Sequence, residues 1–360
     1  MNMIKNRTDW SKQMVRENRE NEILQYALDA FKKNVALPVD IEKEAEVAVQ
    51  NLRADWLLRV RVRDTELRFY AEVKANITKA GIALILLQKG ELPYQLLLVT
   101  RYVAGQMAEQ LKQKGIQFID TAGNAYINQP PLYIFIKGNK PPAIFRQAPL
   151  KRAFKPTGLK LIYALLCNPG LENKTYRAIA AAANVALGTV DLMIKELKQM
   201  GYLMDMGKRG FRLTQKENLL TRWVTAYPEQ LRPKLLLGRY RGVQDWWQQK
   251  NFDPVNALWG GEVAAAKLTK YLKPQVITIY ITPQQLNPLL IENRLKKDPQ
   301  GNIEILEKFW TPLLAIWQYE DMVHPILVYA DLMATGNQRN IETAKMIYEQ
   351  YIVQYIREED

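Results

Sequence analysis

The sequence predicts an α/β domain followed by an α+β domain, with a small helical module and a hairpin between them. Three observations carry this reading. Apolar residues in the first third alternate at the two-residue period of strands, interrupted by stripes at helical spacing. Residues 137–160 then hold seven basic side chains, four prolines and no acid, a composition that breaks regular structure. Past it come three short helical stripes and a glycine-containing basic run, before helices and strands resume.

In chain order, Ile23, Leu24, Ala27, Leu28 and Phe31 form an apolar stripe over residues 20–33, predicting a helix. Strand-like runs follow at 45–50, 55–62 and 66–75, with Asp64 and Thr65 as a hairpin turn. Helices at 79–88 and 105–114 alternate with strands at 94–100, 116–120 and 132–137, giving a mixed sheet covered by helices. After the basic linker, helices are expected at 160–166, 176–182 and 189–200. Val190, Ile194 and Leu197 of the last face the core, and Gly201 closes it. The run YLMDMGKRGFRLT reads as two short strands around a basic tip. The remainder begins with a helix bearing Leu219, Leu220, Trp223 and Val224. It contains the strand VITIYI and ends in a helix over 341–357. The domains are therefore 1–138, a basic linker 139–155, a winged helix-turn-helix 156–215 and an α+β domain 216–360.

Charge agrees with this layout. The chain of 360 residues carries a net +13, with 48% hydrophobic and 24% charged residues, which favours a polyanionic partner over a membrane surface. No apolar run reaches the roughly eighteen residues of a membrane span, and the first twenty residues lack the apolar core of a secretory signal. A cytoplasmic location is expected. Cys167 is the single cysteine, so no internal disulfide or thiolate zinc cluster can form, and its apolar surroundings predict an inert buried thiol.

Two constellations carry chemistry. In the winged helix, Thr189, Leu192, Lys195 and Gln199 lie off the apolar stripe of the third helix and are placed to read base edges of double-stranded DNA. Asp191 among them repels phosphate. Lys208, Arg209 and Arg212 at the wing can pair with phosphates and fix register. The bland alternative is a winged helix used for protein contacts alone. The second constellation is Asp55, Glu72 and Lys74. Glu72 and Lys74 share one strand face, and with Asp55 they can hold Mg²⁺ and orient water for attack on phosphate. The pattern and its helix–strand order resemble the PD-(D/E)XK nuclease fold; solvated charges on a hairpin are the competing reading. DNA binding by the wing needs no cofactor, whereas an active nuclease site would need Mg²⁺.

Other features read more simply. FIDTAGNAYI, with Asp120, Gly123 and Asn124, is a tight turn between strands, and Gly260-Gly261 is a helix-entry turn without P-loop spacing. Trp223, Tyr227 and Tyr240 interleave with Arg222, Arg232, Lys234, Arg239 and Arg241, which suits nucleic-acid stacking, a protein anchor or a core. His324, Tyr329, Asp331, Asn337 and Arg339 are expected to form a polar functional face.

The stretches AEVKANIT, GIQFIDTAGNAYI, NVALGTVDLMIKELKQMGYL, LLTRWVTAYPEQLRPKLLLGRYR, LWGGEVAAAKLTKYLKP and HPILVYADLMATGNQRNIETAKMIYEQYI, in this order, resemble the AbiEi-type antitoxin and transcriptional regulator family of type IV toxin–antitoxin systems, in its longer branch with a nuclease-like N-terminal domain. The resemblance runs from about residue 50 onward. It implies a repressor of its own operon, paired with a nucleotidyltransferase-like toxin in phage defence, and is compatible with oligomer formation. A Mg²⁺-dependent DNA nuclease delivered by its winged helix is the competing class. A protein-interaction antitoxin without DNA contact is a third.

Overall fold

Period-two burial organises the first part of the chain in the computed structural model. The structure describes residues 5–35, 39–49, 52–62, 65–89, 94–140, 151–242, 246–250, 252–253, 255–311 and 321–356, leaving out the side chains of 5–19, 39–40, 44–49, 52–55, 249 and 355. The chain divides into two units, Met1–Pro149 and Leu150–Asp360.

The first unit runs α1 (Lys5–Asn34), β1 (Val39–Val49), β2 (Leu52–Val62), β3 (Thr65–Lys74), α2 (Lys79–Lys89), β4 (Gln95–Thr100), α3 (Gly105–Gln113), β5 (Gln117–Asp120), β6 (Ala125–Gln129) and β7 (Leu132–Ile136). Its seven strands lie in sequence order in one sheet. β3, β4 and β5 are parallel, and the flanking pairs are antiparallel. Leu67, Phe69, Ala71 and Val73 of β3 pack with Leu97 and Val99 of β4 against the α1 stripe Ile23, Leu24, Ala27, Leu28 and Phe31. Tyr70, Leu96, Leu98 and Phe118 point the other way, onto Ile82 and Ile85 of α2 and Ala108 and Leu111 of α3. Central parallel strands covered on both faces read as unbroken apolar runs, which is why QLLLVT is buried from Leu96 through Thr100. The expected turn residue Asp64 lies outside the described residues, and the expected helix over 20–33 reaches back to Lys5.

The second unit opens with a 3₁₀ turn, Arg152–Phe154. Then come α4 (Pro156–Cys167), a 3₁₀ turn at Leu171–Asn173, α5 (Tyr176–Ala183), α6 (Leu187–Gln199), β8 (Leu203–Asp205) and β9 (Phe211–Leu213). They continue as α7 (Lys216–Gln230), α8 (Arg232–Leu235), β10 (Leu236–Arg241), β11 (Ala257–Gly260), α9 (Gly261–Thr269), β12 (Ile277–Ile281), α10 (Leu286–Glu292), β13 (Lys296–Lys297) and β14 (Ile303–Glu307). The last elements are α11 (Pro325–Thr335), α12 (Gln338–Ile347), a π turn at Tyr348–Ile352 and α13 (Val353–Ile356). β8 and β9 form an antiparallel pair, and five strands form a sheet in the order β11-β12-β14-β10-β13. The helix expected at 341 starts earlier because the Asn337 side chain caps it, accepting the Arg339 N–H at 3.1 Å.

α7 packs across α4. The Trp223 indole N–H donates to the Leu159 carbonyl at 2.8 Å, and the Trp223 ring stacks between Tyr163, with centroids 5.5 Å apart, and Tyr227, at 5.0 Å. Aromatic pairs at these separations are stabilised beyond their area burial by about 1 kcal/mol each. The aromatics of this segment therefore fill a core.

Candidate nucleic-acid interface

α5 begins at Thr175, whose hydroxyl accepts the Ala178 N–H at 3.2 Å. It stops at Asn184, which takes the left-handed conformation (φ 49°) that asparagine tolerates. Three residues later α6 sets off at 99° to it. α6 buries Val190, Met193, Ile194 and Leu197. At 100° per residue the opposite stripe is Gly188, Leu192, Lys195 and Gln199. Three of these are the expected reading positions, all exposed. Thr189 sits on the flank instead, partly buried, and borders a groove of about 510 Å³ shared with Lys160, Asn184 and Lys234. Periodicity counted back from Leu192 would have found Gly188, where an added Cβ meets nothing within 4 Å.

The cations are placed unevenly. The Lys195 ammonium donates to Asp191 at 2.7 Å, one helical turn away, and that pairing raises its pKa. Lys198 lies 3.7 Å above the Phe211 ring of β9. Lys208, Arg209 and Arg212 of the hairpin are exposed. Asn173 pins this hairpin, accepting the Phe211 N–H at 2.6 Å and donating to its carbonyl at 2.7 Å. Gly210 is required there, since φ is +81° and a Cβ would stand 2.2 Å from the Asn173 carboxamide oxygen. Glu196 of α6 accepts the backbone N–H groups of Arg152 (3.2 Å) and Ala153 (2.7 Å), docking the basic 3₁₀ turn on α6. Residues 151–215 hold eleven basic side chains against four acids, so more than half of the net +13 sits in under a fifth of the chain.

In the first unit, Glu72, Lys74, Thr100 and Asp120 share one sheet face at the C-terminal ends of three parallel strands, with Lys74 level with Thr100 and Thr100 with Asp120. Glu72 is buried and ion-paired with Lys74. The register Trp56↔Ala71 brings Asp55 and Glu72, each one residue further, to adjacent places on β2 and β3. The Asp55 side chain lies outside the described residues. Among the described residues, the buried Thr100 hydroxyl has no hydrogen-bond partner. Asp120 belongs to the turn, as the sequence suggests: its carboxylate accepts the Val103, Ala122 and Asn124 N–H groups and the Asn124 amide, each at 2.8 Å. Burial still raises its pKa.

The polar face expected around His324 is corrected. Tyr329 and Asp331 are buried. The Asp331 carboxylate accepts hydrogen bonds from Tyr280 (2.9 Å), Tyr227 (3.1 Å) and Arg232 (2.9 Å), and Arg232 reaches on to Glu304 at 2.7 Å. His324 caps α11, its Nδ1 accepting the Ile326 N–H at 3.3 Å, and burial lowers its pKa to about 4. Arg339 pairs with the buried Glu262 at 2.6 Å. Asp331 is polar because the interior of this unit is wired by hydrogen bonds, whereas Asn337 is exposed and His324 and Arg339 are partly buried. Gly260-Gly261 is a helix-entry turn, with Gly261 at φ +48° and room for no Cβ beside Thr278. Burial raises the Cys167 pKa, the state of an unreactive thiol.

The segment that opens in β9 and runs through α7 to the π turn is the part of the chain that resembles a known family. Residues 212–353 match the family described as transcriptional regulator, AbiEi antitoxin, of type IV toxin–antitoxin systems. The AbiEi match is shorter than the resemblance read from the sequence, which began near residue 50. It covers less than half of the chain and leaves out the first unit and α4–α6. No curated protein and no solved structure matches the chain. Among the described residues, no single helix is long and apolar enough to cross a membrane.

Proposed function

We propose that this chain is a DNA-binding transcriptional regulator and antitoxin of a type IV toxin–antitoxin system. In this reading α4–α6 and the β8–β9 hairpin form a winged helix-turn-helix that holds double-stranded DNA, and a nucleotidyltransferase-like toxin is the protein partner. The observation that carries it is the join at β9. The AbiEi-type segment begins in the strand that carries Arg212, and its first helix, α7, packs on α4. The exposed stripe of α6 and the cations around it supply what a duplex needs.

Phosphate contacts release counterions, so affinity should fall steeply with salt. Replacing Lys208, Arg209 and Arg212 together by alanine is expected to weaken binding to every duplex alike and to lower the log–log salt slope by about 0.9 per lost contact. Gln199→Ala should change sequence preference while keeping the slope. Binding isotherms across a salt series, with the triple variant indistinguishable from the parent, would remove the wing from the reading.

The shared face of Glu72, Lys74 and Thr100 favours a second reading for the first unit, a PD-(D/E)XK-like nuclease site. A bound Mg²⁺ would activate water as a Lewis acid. Glu72 and Asp55 would hold it through hard oxygen ligands, beside the buried Thr100 hydroxyl. Among the described residues, no three acidic, histidine or cysteine side chains converge on one point, so this reading leans on Asp55. Metal-dependent nicking of a plasmid is expected to vanish in both Glu72→Gln and Lys74→Met. Nicking that survives in either variant belongs to another site or another protein.

A further inference from the structure

We infer that α6 recognises A·T pairs through the thymine 5-methyl group, with Leu192 as the side chain that reads it. The inference rests on the DNA reading above and says which bases that helix selects.

Leu187 and Leu192 on α6 are 50% and 48% exposed. An isolated exposed leucine is ordinary. Leu192 differs by its place: it sits in the middle of the exposed α6 stripe, between Gly188 and Lys195, while Leu187 stands about 140° round the helix from it. The charge fixes the occupant. Lys151, Arg152 and Lys155 on the docked turn, and Lys208, Arg209 and Arg212 on the hairpin, are complementary to phosphate and would repel a basic protein surface.

Chemistry on the stripe itself then narrows the bases. The commonest specific contact, arginine bidentate to guanine, is unavailable because α6 contains no arginine. Its lysines are engaged nearby, Lys195 by Asp191 and Lys198 at the Phe211 ring. What remains on the stripe is the open backbone at Gly188, the methyls of Leu192 and the amide of Gln199. A side chain absent at Gly188 lets the helix start press close to the groove floor. Aliphatic methyls contact the thymine methyl, and a glutamine amide pairs with the N6 and N7 edge of adenine. Leu192 and Gln199 are seven residues apart, about 10 Å along the helix, or about three base steps at 3.4 Å. The two selected A·T pairs should therefore lie about three base pairs apart.

The test uses the full chain and duplexes enriched by it from a random-sequence library. Each thymine of an enriched duplex is replaced in turn by deoxyuracil, which removes only the 5-methyl group. One position is expected to lose about fourfold in affinity, the worth of one buried methyl. Leu192→Ala should bind the parent duplex as weakly as the native chain binds that uracil duplex, and should be indifferent to the replacement. Gln199→Ala should relax preference about three base pairs away. Uracil tolerated at every position, or a uracil effect that persists undiminished in Leu192→Ala, overturns the inference while DNA binding stands. Failure to enrich or bind any duplex at low salt overturns the DNA reading itself, and leaves the exposed leucines to a protein partner.

Discussion

Asp331→Ala is expected to destabilise the second unit by about 3–5 kcal/mol, the usual consequence of removing one partner from a buried ion pair. The carboxylate lies at the meeting point of α7, α8, β12 and α11, and receives two phenolic hydroxyls and one guanidinium. Its loss leaves Arg232 with Glu304 alone and leaves the fully buried Tyr227 and Tyr280 hydroxyls, 2.5 Å apart, with only each other, so that one of the two has no acceptor for its proton. Asp331→Asn keeps an oxygen to accept from the tyrosines and should do less harm, about 1–3 kcal/mol. Urea unfolding followed by tryptophan fluorescence measures both, since Trp223 stacks on Tyr227. An alanine variant within 1 kcal/mol of the parent would mean that the network contributes little.

The second large effect is on pH. A free imidazole titrates near 6.5, and burial at the start of α11 lowers His324 to about 4. The folded pKa lies below the unfolded one, so the unfolded chain takes up the proton first as the pH falls. The stability tied to this group is complete above pH 6.5 and is lost progressively down to about pH 4. At about 1.4 kcal/mol per unit, the loss approaches 3 kcal/mol. Asp331 acts in the opposite sense, because burial raises its pKa. The clean measurement is therefore a difference: the urea midpoint of the native chain minus that of His324→Asn, from pH 7.5 to pH 4. Asparagine also caps helices, and His324 is the chain's single histidine. A difference that stays flat across that window would show the imidazole to be solvated in the folded state.

Periodicity made much of this fold legible. The stripes of α1 and α6, the strand VITIYI and the alternation along β3 all follow from residues whose burial is decided by their immediate neighbours in sequence. Where the reading fell short, the deciding partner is remote. Asn173 and Glu196 position the hairpin and the basic turn through backbone groups 38 and 43–44 residues away, a relation no local pattern encodes. Strands β10 and β14 escaped notice because Arg239 and Glu304 break their apolar runs, yet these two charges pair with each other in the sheet. Taking polarity for exposure likewise places Tyr329 and Asp331 on a surface, and both are buried. α11 is apolar almost all round, so it has no stripe to announce a helix. At the candidate interface Leu192, Lys195, Gln199 and the hairpin cations are exposed, as their spacing predicts, and Gly188 shares their stripe but offers no side chain to notice.

The indole of Trp223 has a consequence for how such a protein can be taken apart. It belongs to the AbiEi-type segment, yet its ring and its N–H are spent on Tyr163 and Leu159 of the helical module upstream. Cutting the chain after Gln215 would bare Tyr163 and leave the Leu159 carbonyl facing water, so neither fragment would be a fair sample of its half. The AbiEi-type segment and the helical module are thus not separable parts on a string. Single-residue changes, not deletions, are the way to probe one without unsettling the other.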